Sequence, residues 1–400
     1  MEILRNYTHS PVALPIFSFW RGTKDIDQVH LLALRQVPSP RALIFHAIVW
    51  PLAVIFNAVR VLQAHAATLK QASVPRLTLL RSIIWLGWRH NVGADEALKM
   101  HYWVKKNAAY ARFYVQEHER ISLASAIHRG GEVERVHDKA VFDEEASKKG
   151  LPVIPVLALS NASGIVWKRG LSELPRRSLF LKPTDAYKGQ GAERWLYSAE
   201  DQRWNSEGRC LSADDLLAHF KSLGAQRPVI LQPFDAGHPR FRGLSPFGLL
   251  VYRIVTCRTA SGDVDVVYRL LSMTAHGGVS SKANHGGIIS FVDDRGEMGL
   301  GYMYTPGVVS SVSRHPNSGA TIEGEAAPLL SEATELAITA QREFPEASTV
   351  GWDIGLSSVG PVVLEGNPIW GAGGLQLTGR PLGQTTWLKL YLDIRRERSG

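Results

Sequence analysis

A predicted β-hairpin in the C-terminal part constrains the fold of this 400-residue chain more than any other feature. Two strand-like segments with a turn-forming stretch between them are residues 351–354 (GWDI) and 362–368 (VVLEGNP). Glu365 and Asn367 are two positions apart, so a strand turns both side chains to one face. Pairing of the two strands is expected to place Asp353 beside them. The hairpin therefore predicts three oxygen-bearing side chains on one face.

This face predicts a metal site. Mg²⁺ takes oxygen ligands, usually a few carboxylates together with waters and substrate phosphates. An acidic side chain at the end of an apolar run is costly to bury without a cation or another partner. Asp353, Glu365 and Asn367 are therefore the predicted metal ligands. The alternative is an ordinary strand end at which Glu365 is solvated.

A second segment, residues 179–192 (LFLKPTDAYKGQGA), combines a strand-like run with a glycine-rich loop. A triphosphate carries several negative charges, so its site needs a lysine and free backbone N–H groups. The strand would hold Lys182, and Gly189 and Gly191 would let the backbone approach a phosphate because no Cβ intervenes. Lys188 lies in the same loop. Together with the acidic hairpin, the segment predicts the two halves of a Mg-ATP site; the alternative is a hairpin turn with a surface lysine.

The order of these motifs resembles that of the ATP-grasp superfamily, in which a lysine precedes a glycine-rich lid and an acidic strand ends in Glu-x-Asn. Lys139 opens a predicted helix that ends before residues 150–155 (GLPVIP), similar to the family's first nucleotide lysine and its approach to the next strand. Residues 229–234 (VILQPF) resemble the strand that contacts adenine. The residues to which the resemblance assigns the base contact are Gln232, Pro233 and Phe234.

The resemblance is closer to one branch, the sugar-transfer-associated ATP-grasp proteins, and covers roughly residues 95 to 375. The stretches that support it are residues 252–256 (YRIVT), 284–288 (NHGGI), 315–316 (HP), 351–354 and 364–367 (LEGN). The branch takes its name from gene neighbourhoods, so it implies a fold and a nucleotide site but no particular substrate.

The resemblance also implies roles for single residues. Lys139 and Lys182 would hold the phosphates of ATP. Arg253 would lie at the γ-phosphate or the forming acyl phosphate, where it offsets negative charge. The alternative for Arg253 is a structural ion pair, because an unpaired guanidinium in an apolar strand is costly. Asn284, a side-chain amide beside two glycines, suits contact with phosphate or metal.

The predicted fold class is α+β: an ATP-grasp fold, whose two α+β subdomains clasp ATP, with a helical N-terminal extension. The predicted divisions are a partly apolar helical extension (1–94), an N-terminal ATP-grasp region (95–178), a lid subdomain with the glycine-rich loop (179–235) and a C-terminal subdomain with the metal site (236–400). The length agrees, because 400 residues suit two or three subdomains that share one cleft. Helices are predicted near residues 212–223 and 327–344.

By this resemblance, the predicted activity is that of an ATP-dependent, ADP-forming ligase with Mg²⁺. ATP would phosphorylate a small-molecule carboxylate, and an amine or another nucleophile would attack the acyl phosphate. Two alternatives stay open: a phosphotransferase (kinase) that acts on a hydroxyl, and a membrane-surface ATP-binding module of a glycan assembly system. A homodimer is a further expectation, because members of this superfamily are often dimeric.

The N-terminal region carries two apolar segments, residues 42–56 and 77–88, each flanked by arginine. The first is too short, and too broken by Pro51, for a transmembrane helix. Two interpretations stay open. One is a helical hairpin packed on the catalytic domain or on a second subunit, and the other is a helix pair that lies on a membrane surface.

The net charge of +8 and the isoelectric point near 9.4 are compatible with nucleic acid, anionic lipid or an anionic substrate. No zinc-finger or RNA-recognition signature accompanies the charge, so nucleic acid is not the expected partner. Cys210 and Cys257 form no motif, which is typical of a reducing compartment. The predicted location is the cytoplasm, with contact to the inner face of the membrane through residues 42–88 as the second expectation.

Overall fold

The computed structural model describes residues 26, 40–66, 69, 75–90, 92–100, 102, 108–117, 119–121, 127–128, 133–184, 191–275, 287–305 and 308–399. Three predicted site residues, Lys188, Gly189 and Asn284, lie outside these ranges. Two antiparallel sheets, each of seven strands within the described ranges, form the body of the molecule.

Helices and strands occur in separate runs along the chain, as expected for an α+β protein. The helices in the described ranges are α1 (Pro40–Ala64), α2 (Arg76–His90), α3 (Ala94–Lys99), α4 (Glu134–His137), α5 (Lys139–Lys148), α6 (Ala213–Gln226), α7 (Leu330–Glu343), α8 (Gly373–Leu377) and α9 (Trp387–Ser399). The strands are β1 (Ala158–Asn161), β2 (Gly164–Trp167), β3 (Leu179–Pro183), β4 (Glu193–Ser198), β5 (Arg203–Ser206), β6 (Arg209–Leu211), β7 (Val229–Pro233), β8 (Val251–Arg258), β9 (Val264–Met273), β10 (Ile288–Val292), β11 (Met298–Thr305), β12 (Val308–Val312), β13 (Thr349–Ser357) and β14 (Gly360–Asn367). The helices predicted near residues 212–223 and 327–344 are confirmed as α6 and α7, and the predicted hairpin is confirmed as β13 and β14.

The first sheet has the strand order β2-β1-β7-β3-β4-β5-β6 and is covered on one face by α6. The side chain of Ser212 accepts a hydrogen bond from the backbone N–H of Asp215 and so caps the start of α6. Leu216 and Phe220 lie one turn apart on α6 and pack into the sheet core. Because β1 and β2 belong to this sheet, the predicted boundary at residue 179 cuts across it.

The second sheet has the order β12-β11-β10-β9-β8-β13-β14. One of its faces, which includes Tyr252, Ile254 and Trp352, packs on α5 and α7 in the largest apolar core. α7 presents buried alanines at positions 333, 337 and 340 to this core. Their small side chains allow the helix to lie close to the sheet. The opposite face packs in part on α8, α9 and the N-terminal helices, and it also carries the polar side chains described in the next subsection.

Residues 150–157 connect α5 to the first sheet and contact both sheets. The backbone N–H of Val363 on β14 donates to the carbonyl of Pro152 (2.8 Å), and the N–H of Leu157 donates to the carbonyl of Leu231 on β7 (2.8 Å). The carboxylate of Asp143 on α5 accepts a hydrogen bond from the N–H of Val156 (3.0 Å). This segment therefore holds the two sheets in a fixed relation.

The N-terminal helices α1 and α2 pack against each other and on the second sheet. Gly87 of α2 lies so close to Val54 of α1 that a Cβ atom there would stand 2.6 Å from a valine methyl group. The indole N–H of Trp88 donates to the carbonyl of Pro51 (3.1 Å). Their buried residues share a core with side chains from β10 and β12, as one of the two interpretations of the sequence predicts. Within the described ranges, no helix is both long enough and apolar enough to span a bilayer.

Candidate active site

A row of three charged side chains crosses the second sheet. Arg253 on β8 is directly opposite Asp353 on β13, and Asp353 is directly opposite Glu365 on β14. Directly opposed residues of antiparallel strands point to the same face, with Cβ atoms about 4.5–5.5 Å apart. The structure therefore brings together the predicted arginine and two of the three predicted metal ligands.

A β-bulge in the hairpin makes this arrangement possible. Ser357 pairs with Gly360 next to the turn, whereas Asp353 pairs with Glu365, so the register shifts by one residue along the hairpin. Without that shift, Asp353 would be opposite Leu364, and Glu365 would point to the other face of the sheet. Bulges commonly re-aim a side chain next to an active site. Here the bulge places both carboxylates on one face.

Arg253 and Asp353 form a bidentate ion pair. Nε of Arg253 donates to Oδ1 of Asp353 (2.5 Å), and Nη2 donates to Oδ2 (2.9 Å). Burial works to lower the pKa of Arg253, but the charge and hydrogen bonds of Asp353 outweigh it, so the net shift of this pKa is upward. Nη1 of Arg253 makes no hydrogen bond to the described residues, and the side chain is 19% exposed, so this group is available to an anionic ligand. Arg253 therefore forms the structural ion pair that the sequence left open as an alternative. Its Nη1 is in addition a hydrogen-bond donor for a ligand.

Lys139 joins the two halves of the predicted site. Its Nζ donates to the carbonyl of Thr184 (3.1 Å), just after β3, and lies 3.6 Å from Oε2 of Glu365 on β14. Asp138 fixes the start of α5 by accepting hydrogen bonds from the N–H groups of Ala140 (2.9 Å) and Val141 (3.0 Å). Lys139 is therefore held at the first position of a capped helix, between the acidic strand and the beginning of the glycine-rich loop.

Asn367 is close to Glu365 and to the backbone of β13. Its Nδ2 donates to the carbonyl of Gly351 (3.3 Å) and lies 3.4 Å from Oε1 of Glu365. Gly351 has no room for a side chain, because a Cβ atom would stand 2.6 Å from Cβ of Trp370 and 3.2 Å from Cδ of Arg253. Trp370 therefore packs directly across the strand that carries Asp353.

Lys182 belongs to the first sheet and is half-buried on β3. It is opposite Ile230 on β7, and Phe180 is opposite Gln232, so Lys182 and Gln232 share the face that points away from α6. Nε2 of Gln232 donates to the carbonyl of Ile154 (2.7 Å) in the connecting segment. This face therefore turns towards residues 150–157, which pair with β14.

The predicted adenine contact has few backbone donors. Pro233 has no N–H group, and the N–H of Phe234 donates to the carbonyl of Ser178 (2.9 Å). The first backbone N–H beyond them belongs to Asp235. Backbone hydrogen bonds from residues 233 and 234 to a base are therefore limited to their carbonyl oxygens, whereas the sequence prediction left the backbone N–H of Phe234 open as a donor. The guanidinium of Arg194 lies 5.6 Å from the ring centroid of Phe234 and flanks the same region.

Of the predicted loop residues, the structure describes Gly191. Its φ of +70° lies in the left-handed region, where a residue with a side chain is strained, so glycine is favoured at this position. The predicted contacts of Lys188, Gly189 and Asn284 lie outside the described residues and stay predictions.

Sequence reasoning missed three contributors to this region. The carbonyl of Thr184 anchors Lys139, and such a backbone contact leaves no sequence signal. Tyr268 donates its hydroxyl to the carbonyl of Gly371 (3.1 Å), and burial raises the pKa of Tyr268, so the hydroxyl keeps its proton. Asp235 accepts hydrogen bonds from the backbone N–H (3.2 Å) and the hydroxyl (3.1 Å) of Ser358, and so ties the end of β7 to the turn of the metal hairpin. Of these three, only Asp235 had a signal in the sequence, because it directly follows the segment that resembles the adenine-contacting strand.

The donor set fits a hard divalent cation. Among the described residues no group of three or more His, Cys, Asp and Glu side chains is placed to hold a metal ion. The candidate set is instead two carboxylates, Asp353 and Glu365, completed by the amide oxygen of Asn367. Mg²⁺ is commonly bound by one or two carboxylates with waters and substrate phosphates filling its other positions. Lys139 and Arg253 place two positive charges next to this candidate set.

Two sheets, a capped lysine between them and an acidic hairpin define an ATP-grasp architecture. The family model for sugar-transfer-associated ATP-grasp proteins matches residues 118–385. The chain therefore belongs to the sugar-transfer-associated ATP-grasp family, as its motifs predict, and has the α+β fold of that superfamily with helices in the N-terminal region.

The search of solved structures gives distant likenesses. An ADP complex of N5-carboxyaminoimidazole ribonucleotide synthetase is 14% identical with a TM-score of 0.35, over 59% of this chain and 45% of the other. D-alanine–D-alanine ligase from Helicobacter pylori is 13% identical with a TM-score of 0.36, over 66% of this chain and 61% of the other. L-amino acid ligase from Bacillus licheniformis is 11% identical with a TM-score of 0.36, over 75% of this chain and 60% of the other. The chain thus spans less than two thirds of each of these proteins. No curated protein matches the chain.

Proposed function

We propose that this protein is an ATP-dependent, ADP-forming ligase that joins a carboxylate to an amine or another nucleophile through an acyl phosphate. The observation that carries the proposal is the position of Lys139, whose Nζ lies 3.1 Å from the Thr184 carbonyl and 3.6 Å from Glu365. One ammonium group thus stands between the acidic strand and the start of the glycine-rich segment. Family membership supports the same assignment.

In this proposal Asp353, Glu365 and Asn367 hold Mg²⁺. When bound, the ion would act as a Lewis acid that polarises the phosphoryl oxygens and offsets their charge. Lys139 and Lys182 would contact phosphate oxygens. The ion pair between Lys139 and Glu365 is long at 3.6 Å, so a phosphate can take up the lysine while the carboxylate turns to the cation.

Arg253 has a double role in this proposal. Its bidentate pair with Asp353 fixes the plane of the guanidinium, so little side-chain freedom remains to be lost when a ligand binds. Nη1 then offers a hydrogen bond to oxygens on which negative charge increases during phosphoryl transfer. The upward pKa shift keeps this group charged throughout the accessible pH range.

The proposed reaction has two displacement steps. A carboxylate oxygen of the donor attacks the γ-phosphorus of ATP, the bond from that phosphorus to the β,γ-bridging oxygen breaks, and ADP leaves. The nitrogen of the acceptor amine then attacks the acyl carbon, and the bond from that carbon to the phosphate oxygen breaks. Phosphate leaves with that electron pair, and the amine nitrogen loses its proton.

Exchange of glutamate for glutamine at the centre of the site tests the proposal. Glu365→Gln keeps the size of the side chain but removes its charge, so we expect ADP formation to fall at least about a hundredfold. Glu343→Gln is the matched control, because Glu343 lies on α7, is 41% exposed and pairs with Lys149. Equal turnover in the two variants would contradict the site assignment.

Positional isotope exchange tests the chemistry. The probe is Mg-ATP labelled with ¹⁸O at the β,γ-bridging position, incubated with pools of small carboxylates and without an amine. We expect the label to scramble with one carboxylate pool, since reversible acyl-phosphate formation frees the β-phosphate of ADP to rotate. Scrambling that instead requires a hydroxyl compound and leaves a stable phosphate ester would identify a kinase and overturn the proposal.

A further inference from the structure

The outer face of α1 carries an exposed apolar stripe. Its members are Ile48, Leu52, Ile55 and Val59, and they are 69%, 63%, 37% and 38% exposed, respectively. Their spacing of four, three and four residues places all of them on one side of a helix. The buried residues of α1, among them Ala53, Val54 and Ala58, lie elsewhere around the helix and pack inwards.

α2 also carries exposed apolar side chains. Leu77 and Trp85 are 59% and 60% exposed, and they lie two turns apart on the same side of the helix. Arg76 and Arg81 beside them are exposed as well. Aromatic and leucine side chains edged by arginines are typical of helices that lie in the plane of a membrane interface.

The charged residues within these two helices are all basic. Residues 28–94 contain seven lysines and arginines and no aspartate or glutamate, so this stretch supplies seven of the eight net positive charges of the chain. An apolar stripe within such a basic region complements a surface that is both apolar and anionic. The interface of a bilayer with acidic lipids has this combination, and each nearby basic residue adds about 1 kcal/mol of attraction.

We propose that α1 and α2 dock this protein on the surface of an anionic bilayer, with the stripe and Trp85 at the boundary of the acyl chains and Arg76 and Arg81 at the lipid headgroups. The helices would lie on the membrane without crossing it. Their inner faces are already packed on the second sheet through Ile289 and Val309, near the sheet edge opposite the candidate site. The docking surface is therefore separate from the site, and the inference does not depend on the proposed ligase activity.

A second copy of the chain fits this surface less well. A symmetric dimer through α1 and α2 would bring two regions of charge +7 together and set the arginines of one copy against those of the other. Anionic lipid removes this repulsion.

Vesicle flotation with the full chain tests the inference. The probes are vesicles of pure phosphatidylcholine and vesicles that also contain about one third phosphatidylglycerol, at low and high salt. We expect flotation with the anionic vesicles that weakens as salt rises, and far less with the neutral ones. Absence of flotation with folded protein would overturn the inference.

Two sets of variants locate the contact. Leu52→Glu should weaken binding at least about tenfold because it sets a charge into the apolar stripe, whereas Leu196→Glu on β4, 43% exposed, should leave binding unchanged. The double change Arg76→Gln and Arg81→Gln should weaken binding roughly thirtyfold, since each arginine contributes about 1 kcal/mol. The double change Arg176→Gln and Arg177→Gln removes the same charge from the first-sheet side and should have a smaller effect.

Light scattering on the same proteins tests whether a second copy of the chain covers the stripe. We expect Leu52→Glu to leave the mass in solution unchanged. A wild-type dimer that becomes a monomer in Leu52→Glu would show that a second copy covers the stripe, and would overturn the inference. Circular dichroism of each variant establishes that loss of binding is not loss of fold.

Discussion

The acidic hairpin of the second sheet and the lysine strand of the first sheet contribute to one candidate site, but they are built differently. On β8, β13 and β14 the functional side chains hold one another: Arg253 pairs with Asp353, and Asn367 lies beside Glu365. On β3 and β7 the described contacts run mainly to backbone atoms, as from Gln232 to Ile154. The comparison indicates that the candidate metal half is held by its own ion pairs, whereas the described part of the candidate phosphate half is held mainly through backbone atoms.

Removal of the Asp353 charge should lower the free energy of unfolding more than any of the following changes. Asp353→Asn leaves the Arg253 guanidinium largely buried without its counter-charge, so we expect the free energy of unfolding to fall by about 3 kcal/mol. Urea denaturation measures this loss. Asp294→Asn is the control, because Asp294 also pairs with an arginine of the second sheet but is fully exposed, and it should change stability far less than Asp353→Asn does. Equal losses would contradict the idea that the metal half is ordered by a buried pair.

A side chain at position 351 should lower the free energy of unfolding by a smaller amount, because it disturbs packing and leaves the charges in place. In Gly351→Ala the new Cβ would meet Trp370 and Arg253, and we expect destabilisation of about 2 kcal/mol. Thermal unfolding measures it. Gly373→Ala is the control, since a Cβ there meets no atom within 4 Å, and it should be neutral or slightly stabilising.

Cysteine alkylation compares how accessible a cysteine is in each of the two sheets, and it needs no substitution. Cys210 on β6 is exposed, whereas Cys257 on β8 is buried. Burial raises the pKa of Cys257 from 9.0 to about 12, so at pH 9.0 its thiol keeps the proton and is a poor nucleophile. We expect iodoacetamide to label Cys210 alone in the folded protein at pH 9.0, and both cysteines in urea, as read by mass spectrometry. Rapid labelling of Cys257 without denaturant would show that the second sheet opens readily.

The sequence predicted the hairpin but not the reason why its acids meet. Counted from the turn, Asp353 falls opposite Leu364, and strict alternation sends Glu365 to the other face. A bulge between Asp353 and Ile354 corrects this register, and no residue type in the hairpin indicates it. The prediction that Asp353, Glu365 and Asn367 share a face thus needed a feature that the sequence pattern does not encode.

The hydrogen bonds of backbone atoms could not be predicted from the sequence either. Nothing in residues 229–234 indicates that the Phe234 N–H is already used by Ser178, because such a hydrogen bond depends on strand register. The contact between Lys139 and Thr184 joins positions 45 residues apart through a carbonyl oxygen. Motifs therefore identified most of the side chains, whereas the hydrogen bonds that position them appeared only in three dimensions.

We propose that Lys139 lets both sheets share one ligand. Isothermal titration of Mg-ATP into the wild type, Lys139→Ala and Lys149→Ala tests it most directly, because Lys149 lies at the other end of α5 and pairs with Glu343. We predict at least about tenfold weaker binding for Lys139→Ala, from the loss of a charge-assisted contact, and unchanged binding for Lys149→Ala. Equal affinities for all three proteins would contradict the claim.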